Sequence, residues 1–64
     1  MSLKEIFGKR VKEYRTALFL SQEEFAEKLG IHRSTLARIE NGKNFASYET
    51  IEKMQQVLNV EYKI

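Results

Sequence analysis

SQEEFAEKLGIHRSTLARIENG, residues 21–42, decides how this chain folds. Ser21 and Glu24 stand at the Ser-x-x-Glu spacing, in which a hydroxyl and a carboxylate reciprocally satisfy two backbone N–H groups left open by the first turn of a helix. A helix is therefore predicted to begin at Gln22. Phe25, Ala26 and Leu29 fall on one face of it at helical spacing, and Glu23, Glu24, Glu27 and Lys28 fall on the other. Gly30 supplies the left-handed residue that ends a helix. Ile31 and His32 leave only a short turn before apolar spacing resumes at Leu36 and Ile39. The two helices must then cross steeply, with the small Ala26 letting them approach. Asn41-Gly42 closes the second helix.

With an advance of roughly 100° per residue, Leu36 and Ile39 point inward together. The opposite arc carries Ser34, Ala37, Arg38 and Asn41, with Arg33 and Thr35 on its flanks and His32 at its entrance. That arc has little to contribute to a core. It does offer what the major groove of DNA rewards: bidentate donors for guanine, hydroxyls for either partner, and small apolar atoms for a thymine methyl.

From Leu20 to Lys43 the chain resembles the helix-turn-helix of the phage repressor and Cro family, also called the xenobiotic-response-element type. Ser21-Gln22, Phe25-Ala26, Leu29-Gly30-Ile31, Ser34-Thr35-Leu36, Ile39-Glu40 and Asn41-Gly42-Lys43 carry the resemblance. Arg10-Val11-Lys12 and Arg15 extend it upstream, and Ser47, Glu49-Thr50-Ile51 and Leu58-Asn59-Val60 extend it downstream. The resemblance implies an all-α, four- to five-helix domain over residues 1–64 with its helix-turn-helix at 21–42. It implies a sequence-specific, double-stranded DNA-binding transcriptional regulator, expected to repress, that acts as a homodimer on a palindromic operator. Arg33, Ser34 and Arg38 would read bases, assisted by His32 and Thr35. Gln22 would face a phosphate at a helix N-terminus, where the dipole favours an anion. Asn41, Lys43 and Asn44 would form a second phosphate clamp, positioning without carrying sequence information. Arg15 would pair with Glu40 and brace the first helix against the reader helix.

Outside this stretch, Ser2 and Glu5 repeat the capping spacing and start a helix over residues 2 to 18. Leu3, Ile6, Phe7, Val11, Tyr14 and Leu18 trace a stripe in steps of three and four, which predicts a core-facing side. Gly8 lies inside that pattern, where it costs roughly 1 kcal/mol relative to Ala. Phe19 departs from the resembled family, which places Gly or a polar residue just before Leu-Ser-Gln. An aromatic residue suits a left-handed turn poorly, so either the helix ends differently or Phe19 serves a contact. Phe45 and Tyr48 raise the same question in the next loop. Ser47 caps a fourth helix from Tyr48 to about Leu58, with Ile51, Met54, Val57 and Leu58 facing in.

Beyond Asn59 the residues alternate apolar and charged, the period of a half-buried strand. Two readings stand here. Val60, Tyr62 and Ile64 could pair with the same segment of a second copy across a two-fold axis, supplying the hydrogen bonds a lone strand lacks. The alternative is a frayed tail or a single helical turn on the core.

Composition sets the outer bounds. Sixty-four residues make one small domain. No Cys and one His exclude a disulfide framework and a thiolate or histidine metal cluster. No Pro and only three Gly favour uninterrupted helices. No apolar run approaches the roughly 18 residues of a membrane span, and no signal-peptide pattern opens the chain. These features predict a cytoplasmic protein without cofactor or evident small-molecule ligand, and the resemblance implies a bacterial or phage-encoded one working at the nucleoid. The net charge of +2 is a weak argument for nucleic acid, but its distribution says more. Lys4, Lys9, Arg10, Lys12 and Arg15 crowd the first segment and Arg33, Arg38 and Lys43 line the reader, whereas Glu23, Glu24 and Glu27 collect between them. Those glutamates sit on a solvated face with no nucleophile or metal ligand beside them, which argues against an enzyme. A second non-enzymatic reading is an antitoxin that also binds its own operator and holds a toxin protein.

Overall fold

Four helices make up residues 1–58, the part of the chain that the computed structural model describes: α1 (Leu3–Ala17), α2 (Gln22–Leu29), α3 (Arg33–Glu40) and α4 (Tyr48–Leu58). The segment over 59–64, with the dimer-strand residues Val60, Tyr62 and Ile64, lies outside the described residues.

Each start has a local cause. At α1, Ser2 Oγ accepts from the Glu5 backbone N–H at 3.2 Å, and the Glu5 carboxylate accepts from the Ser2 N–H at 2.9 Å. Ser21 and Glu24 repeat the arrangement at α2, with distances of 3.0 and 2.9 Å. In both pairs the serine backbone N–H, and after it the serine hydroxyl, holds the glutamate pKa below its ordinary value. At α4, Ser47 Oγ accepts from the Thr50 N–H at 3.2 Å.

The ends of α1, α2 and α3 share one geometry, a left-handed residue with paired backbone bonds closing back onto the last turn. Gly30 N–H reaches the Glu27 carbonyl at 3.1 Å and Ile31 N–H reaches that of Ala26 at 3.0 Å. Gly42 and Lys43 close on Ile39 and Arg38 at 3.1 and 2.9 Å. At α1 the bonds are Phe19 to Thr16 at 3.0 Å and Leu20 to Arg15 at 3.3 Å. The left-handed residues are Gly30 (φ 71°), Gly42 (φ 76°) and Phe19 (φ 59°). An aromatic residue thus stands where its two counterparts are glycine, and the residue is 92% exposed.

α3 lies against both α1 and α2, and α4 packs on α2. Val11, Phe25, Ala26, Leu29, Leu36, Ile39 and Met54 form the core, with Phe7, Leu20, Ile31, Ala46, Val57 and Leu58 packed around it. Each large side chain buried there contributes about 1.5–3 kcal/mol.

The structure corrects the sequence reading of α1. Of its apolar stripe only Val11 is buried and Phe7 half-buried; Leu3, Ile6, Tyr14 and Leu18 are 71, 43, 41 and 45% exposed. The buried residues of α1 are Gly8, Val11 and Arg15, a line rotated by about a quarter turn from the stripe's centre at helical spacing. Gly8 explains the rotation. A Cβ there would fall inside van der Waals contact of the Ile39 carbonyl oxygen and 2.9 Å from that of Glu40. The missing side chain lets the α1 backbone rest on the last turn of α3. Among the described residues, no helix is long and apolar enough to cross a membrane.

Candidate nucleic-acid interface

The outer side of α3 is built by what its inner side buries. Leu36 and Ile39 are fully enclosed and Glu40 is buried, which leaves Arg33, Ser34, Thr35, Arg38 and Asn41 exposed along the opposite arc and Ala37 half-buried beside them. His32 occupies the N-cap position with extended backbone (φ −73°, ψ 147°) and makes no side-chain capping bond. No acidic residue stands in the first turn of α3. The positive end of the helix therefore meets no carboxylate from its own first turn.

The orientation of α3 is set by a buried ion pair. Arg15 Nε donates to Glu40 Oε2 at 2.7 Å and Arg15 Nη2 to Glu40 Oε1 at 3.0 Å, a bidentate fork. A third guanidinium nitrogen, Nη1, donates to the Leu20 carbonyl oxygen at 2.8 Å. One arginine of α1 thus ties together the α1–α2 turn and the end of α3. Burial makes this pair matter, because removing either partner strands a desolvated charge.

Gln22 joins the same cluster. Its Nε2 donates to Glu40 Oε1 at 3.0 Å, and the side chain is half-buried at the first position of α2. The family resemblance implies a phosphate at Gln22, and nothing in the sequence hints at this bond. An amide carries two N–H donors, and the bond to Glu40 uses one of them.

The remaining candidates divide by burial. Asn41 and Lys43 are exposed at the end of α3, while Asn44 is half-buried. The Asn44 amide lies between one donor, Arg38 Nε at 3.1 Å, and one acceptor, the Lys43 carbonyl oxygen at 2.8 Å, which assigns its oxygen to the arginine and its nitrogen to the carbonyl. Its contact is therefore with a candidate base reader. Gly42 makes this turn possible, since a Cβ there would meet Glu5 Cα at 2.9 Å as well as face a left-handed φ. Arg33, Ser34 and Thr35 gather at the N-terminal end of the exposed arc, and Arg38, Asn41, Lys43 and Asn44 at its C-terminal end.

Known proteins match this arrangement. A family profile described as Helix-turn-helix covers residues 11–63. The antitoxin PezA of Streptococcus pneumoniae is 42% identical over 57 residues, which are 89% of this chain but 36% of that protein, so the chain spans about a third of that relative's length. The HTH-type transcriptional regulator YazB of Bacillus subtilis is 39% identical over 56 residues, 88% of this chain and 81% of YazB. Among solved structures, the restriction-modification controller protein C.AhdI of Aeromonas hydrophila superposes with a TM-score of 0.84 at 38% identity, covering 91% of this chain and 88% of that one. Profile, relatives and superposition agree with the four-helix geometry: this chain belongs to the helix-turn-helix family, of the xenobiotic-response-element type.

Proposed function

We propose that this chain is a sequence-specific, double-stranded DNA-binding transcriptional regulator that acts as a homodimer on a palindromic operator and represses from it. The observation that carries the reading is the split of α3: Leu36 and Ile39 are sealed in the core, while Ser34 and Arg38 stand exposed opposite them with the exposed Arg33 and Thr35 on the flanks. Arg33, Ser34 and Arg38 read base edges in the major groove, with His32 and Thr35 beside them. The exposed Lys43 and Asn41, with the free N–H of Gln22 at the α2 terminus, position the helix on phosphates. In a dimer of the usual kind the half-sites lie about one helical turn, roughly 34–36 Å, apart. Such a protein works in the cytoplasm, at the nucleoid.

Selection of bound fragments from random DNA tests this at several salt concentrations. One arginine–guanine contact contributes about 1–3 kcal/mol of discrimination. Arg38→Ala relaxes the preference at one base pair per half-site, and Lys43→Ala weakens selected and random DNA alike while lowering the salt slope by about 1. Equal weakening of both DNAs by both substitutions would defeat the assignment.

A second reading, an antitoxin that also binds its own operator, is supported by one structural observation beside the similarity to PezA. Phe19 holds an exposed ring on strained backbone, the kind of feature that clusters at contact sites. Co-purification of a second polypeptide expressed from an adjacent reading frame separates this reading from the first. Loss of that co-purification in Phe19→Ala would locate the contact.

A further inference from the structure

We infer that Asn44 is a positioning residue for base reading, holding the Arg38 guanidinium at a fixed angle, and that it is not a phosphate ligand. The inference rests on the proposal that Arg38 reads a base.

Arg38 Nε can only donate and the Lys43 carbonyl can only accept, so the amide between them has one satisfactory orientation, with oxygen toward Arg38 at 3.1 Å and nitrogen toward Lys43 at 2.8 Å. Asn44 is half-buried while its neighbour Lys43 is exposed, so one looks back at the protein and the other away from it. Backbone geometry pins the same place a second time. The Lys43 N–H bonds to the Arg38 carbonyl at 2.9 Å, through a left-handed Gly42 that sits against Glu5. The turn after α3 is thus fastened to Arg38 through both main chain and side chain.

The consequence for recognition is specific. A free arginine loses considerable rotamer freedom when it docks, and a fork held in advance loses less. With Nε engaged by Asn44, the guanidinium presents its two terminal nitrogens, Nη1 and Nη2, and meets guanine O6 and N7 end-on. Asn44 thereby acts on discrimination at the base pair that Arg38 reads, and through no other contact.

The test compares wild type with Asn44→Ala, Asn44→Asp, Arg38→Ala and the Asn44→Ala/Arg38→Ala double variant. Each is measured on the selected operator, on that operator with Arg38's base pair changed, and on random DNA. A bidentate contact gives roughly 5- to 150-fold preference for its base pair. Asn44→Ala lowers that preference by about 3- to 10-fold, with affinity for random DNA unchanged, and has no further effect on preference once Arg38 is alanine. Asn44→Asp keeps an acceptor for Arg38 but sets a second acceptor against the Lys43 carbonyl, so it retains only part of the preference, while its added charge weakens all DNA. In the free protein, the Arg38 Nε–H resonance exchanges faster in Asn44→Ala than in wild type while the core amides of α3 keep their protection, a readout independent of DNA. If Arg38→Ala relaxes the preference but Asn44→Ala weakens selected and random DNA equally, Asn44 is a phosphate ligand and the inference is overturned. If Arg38→Ala leaves the preference intact, the base-reading proposal itself has failed, and this inference falls with it.

Discussion

α1 and α3 carry apolar residues at the same spacing, yet one buries its stripe and the other leaves most of it exposed. In α3, Leu36 and Ile39 are enclosed because α1 and α2 both lie against that helix. In α1 the contact with α3 runs along Gly8, Val11 and Arg15, so Leu3, Ile6, Tyr14 and Leu18 are turned aside. Spacing identifies an apolar face, but the neighbour that covers it approaches where its backbone can come closest. For α1 that place is a residue without a side chain. The helix with the enclosed stripe is also the one whose other side is open, which is why the reader assignment falls on α3.

The largest way to break this contrast is to cut the link between the two helices. Glu40→Ala strands Arg15 and costs about 3–5 kcal/mol, comparable with the roughly 3–10 kcal/mol expected for a domain of this size. Urea unfolding should find little folded protein, and a loss under 1 kcal/mol would show that the pair does not brace α3. Gly8→Ala is next. A glycine inside a helix is ordinarily improved by alanine by about 1 kcal/mol, but here the added methyl meets the Ile39 and Glu40 carbonyls, and overpacking costs about 3 kcal/mol. The sign of the change in unfolding free energy decides between the two. Phe19→Gly acts at the far end of α1. Relief of the left-handed strain, offset by glycine's greater freedom when unfolded, leaves a gain of up to about 1 kcal/mol. A lowered Tm would mean that the ring supports the fold.

The smallest effect concerns how the two helices begin. α1 and α2 start with serine–glutamate boxes, whereas α3 starts at His32 with no side-chain cap. The Glu5 and Glu24 pKa values are lowered in the folded chain. Their contribution is therefore complete above the ordinary glutamate range and is lost as pH falls through and below it. Amide exchange followed downward through that range should loosen the first turns of α1 and α2 before the first turn of α3. Simultaneous loosening of all three would assign no role to the boxes.

Much of this fold was legible in the sequence because its signals are local. Ser21 with Glu24, Ser2 with Glu5, Gly30 and Ser47 each act within a few residues, and the helices begin and end where those residues stand. Arg15 and Glu40 lie 25 positions apart, and only the family resemblance suggested a link that the structure then displays at 2.7 Å. What was not legible depends on tertiary approach. The bond from Gln22 to Glu40, the turning of Asn44 toward Arg38 and the seating of Gly8 on the end of α3 leave no periodic trace. Phe19 was visible as an anomaly, and the structure resolves its backbone: the turn keeps its left-handed form and carries the aromatic outward.

The contrast between the two helices is tested most directly by titrating the isotopically labelled protein with its selected operator and following backbone amides by NMR. The largest shifts are expected on His32, Arg33, Ser34, Thr35 and Arg38, with a second group at Gln22 and Lys43, while Leu3, Ile6 and Tyr14 of α1 stay near their free positions. Largest shifts along the exposed stripe of α1, with α3 unmoved, would contradict it.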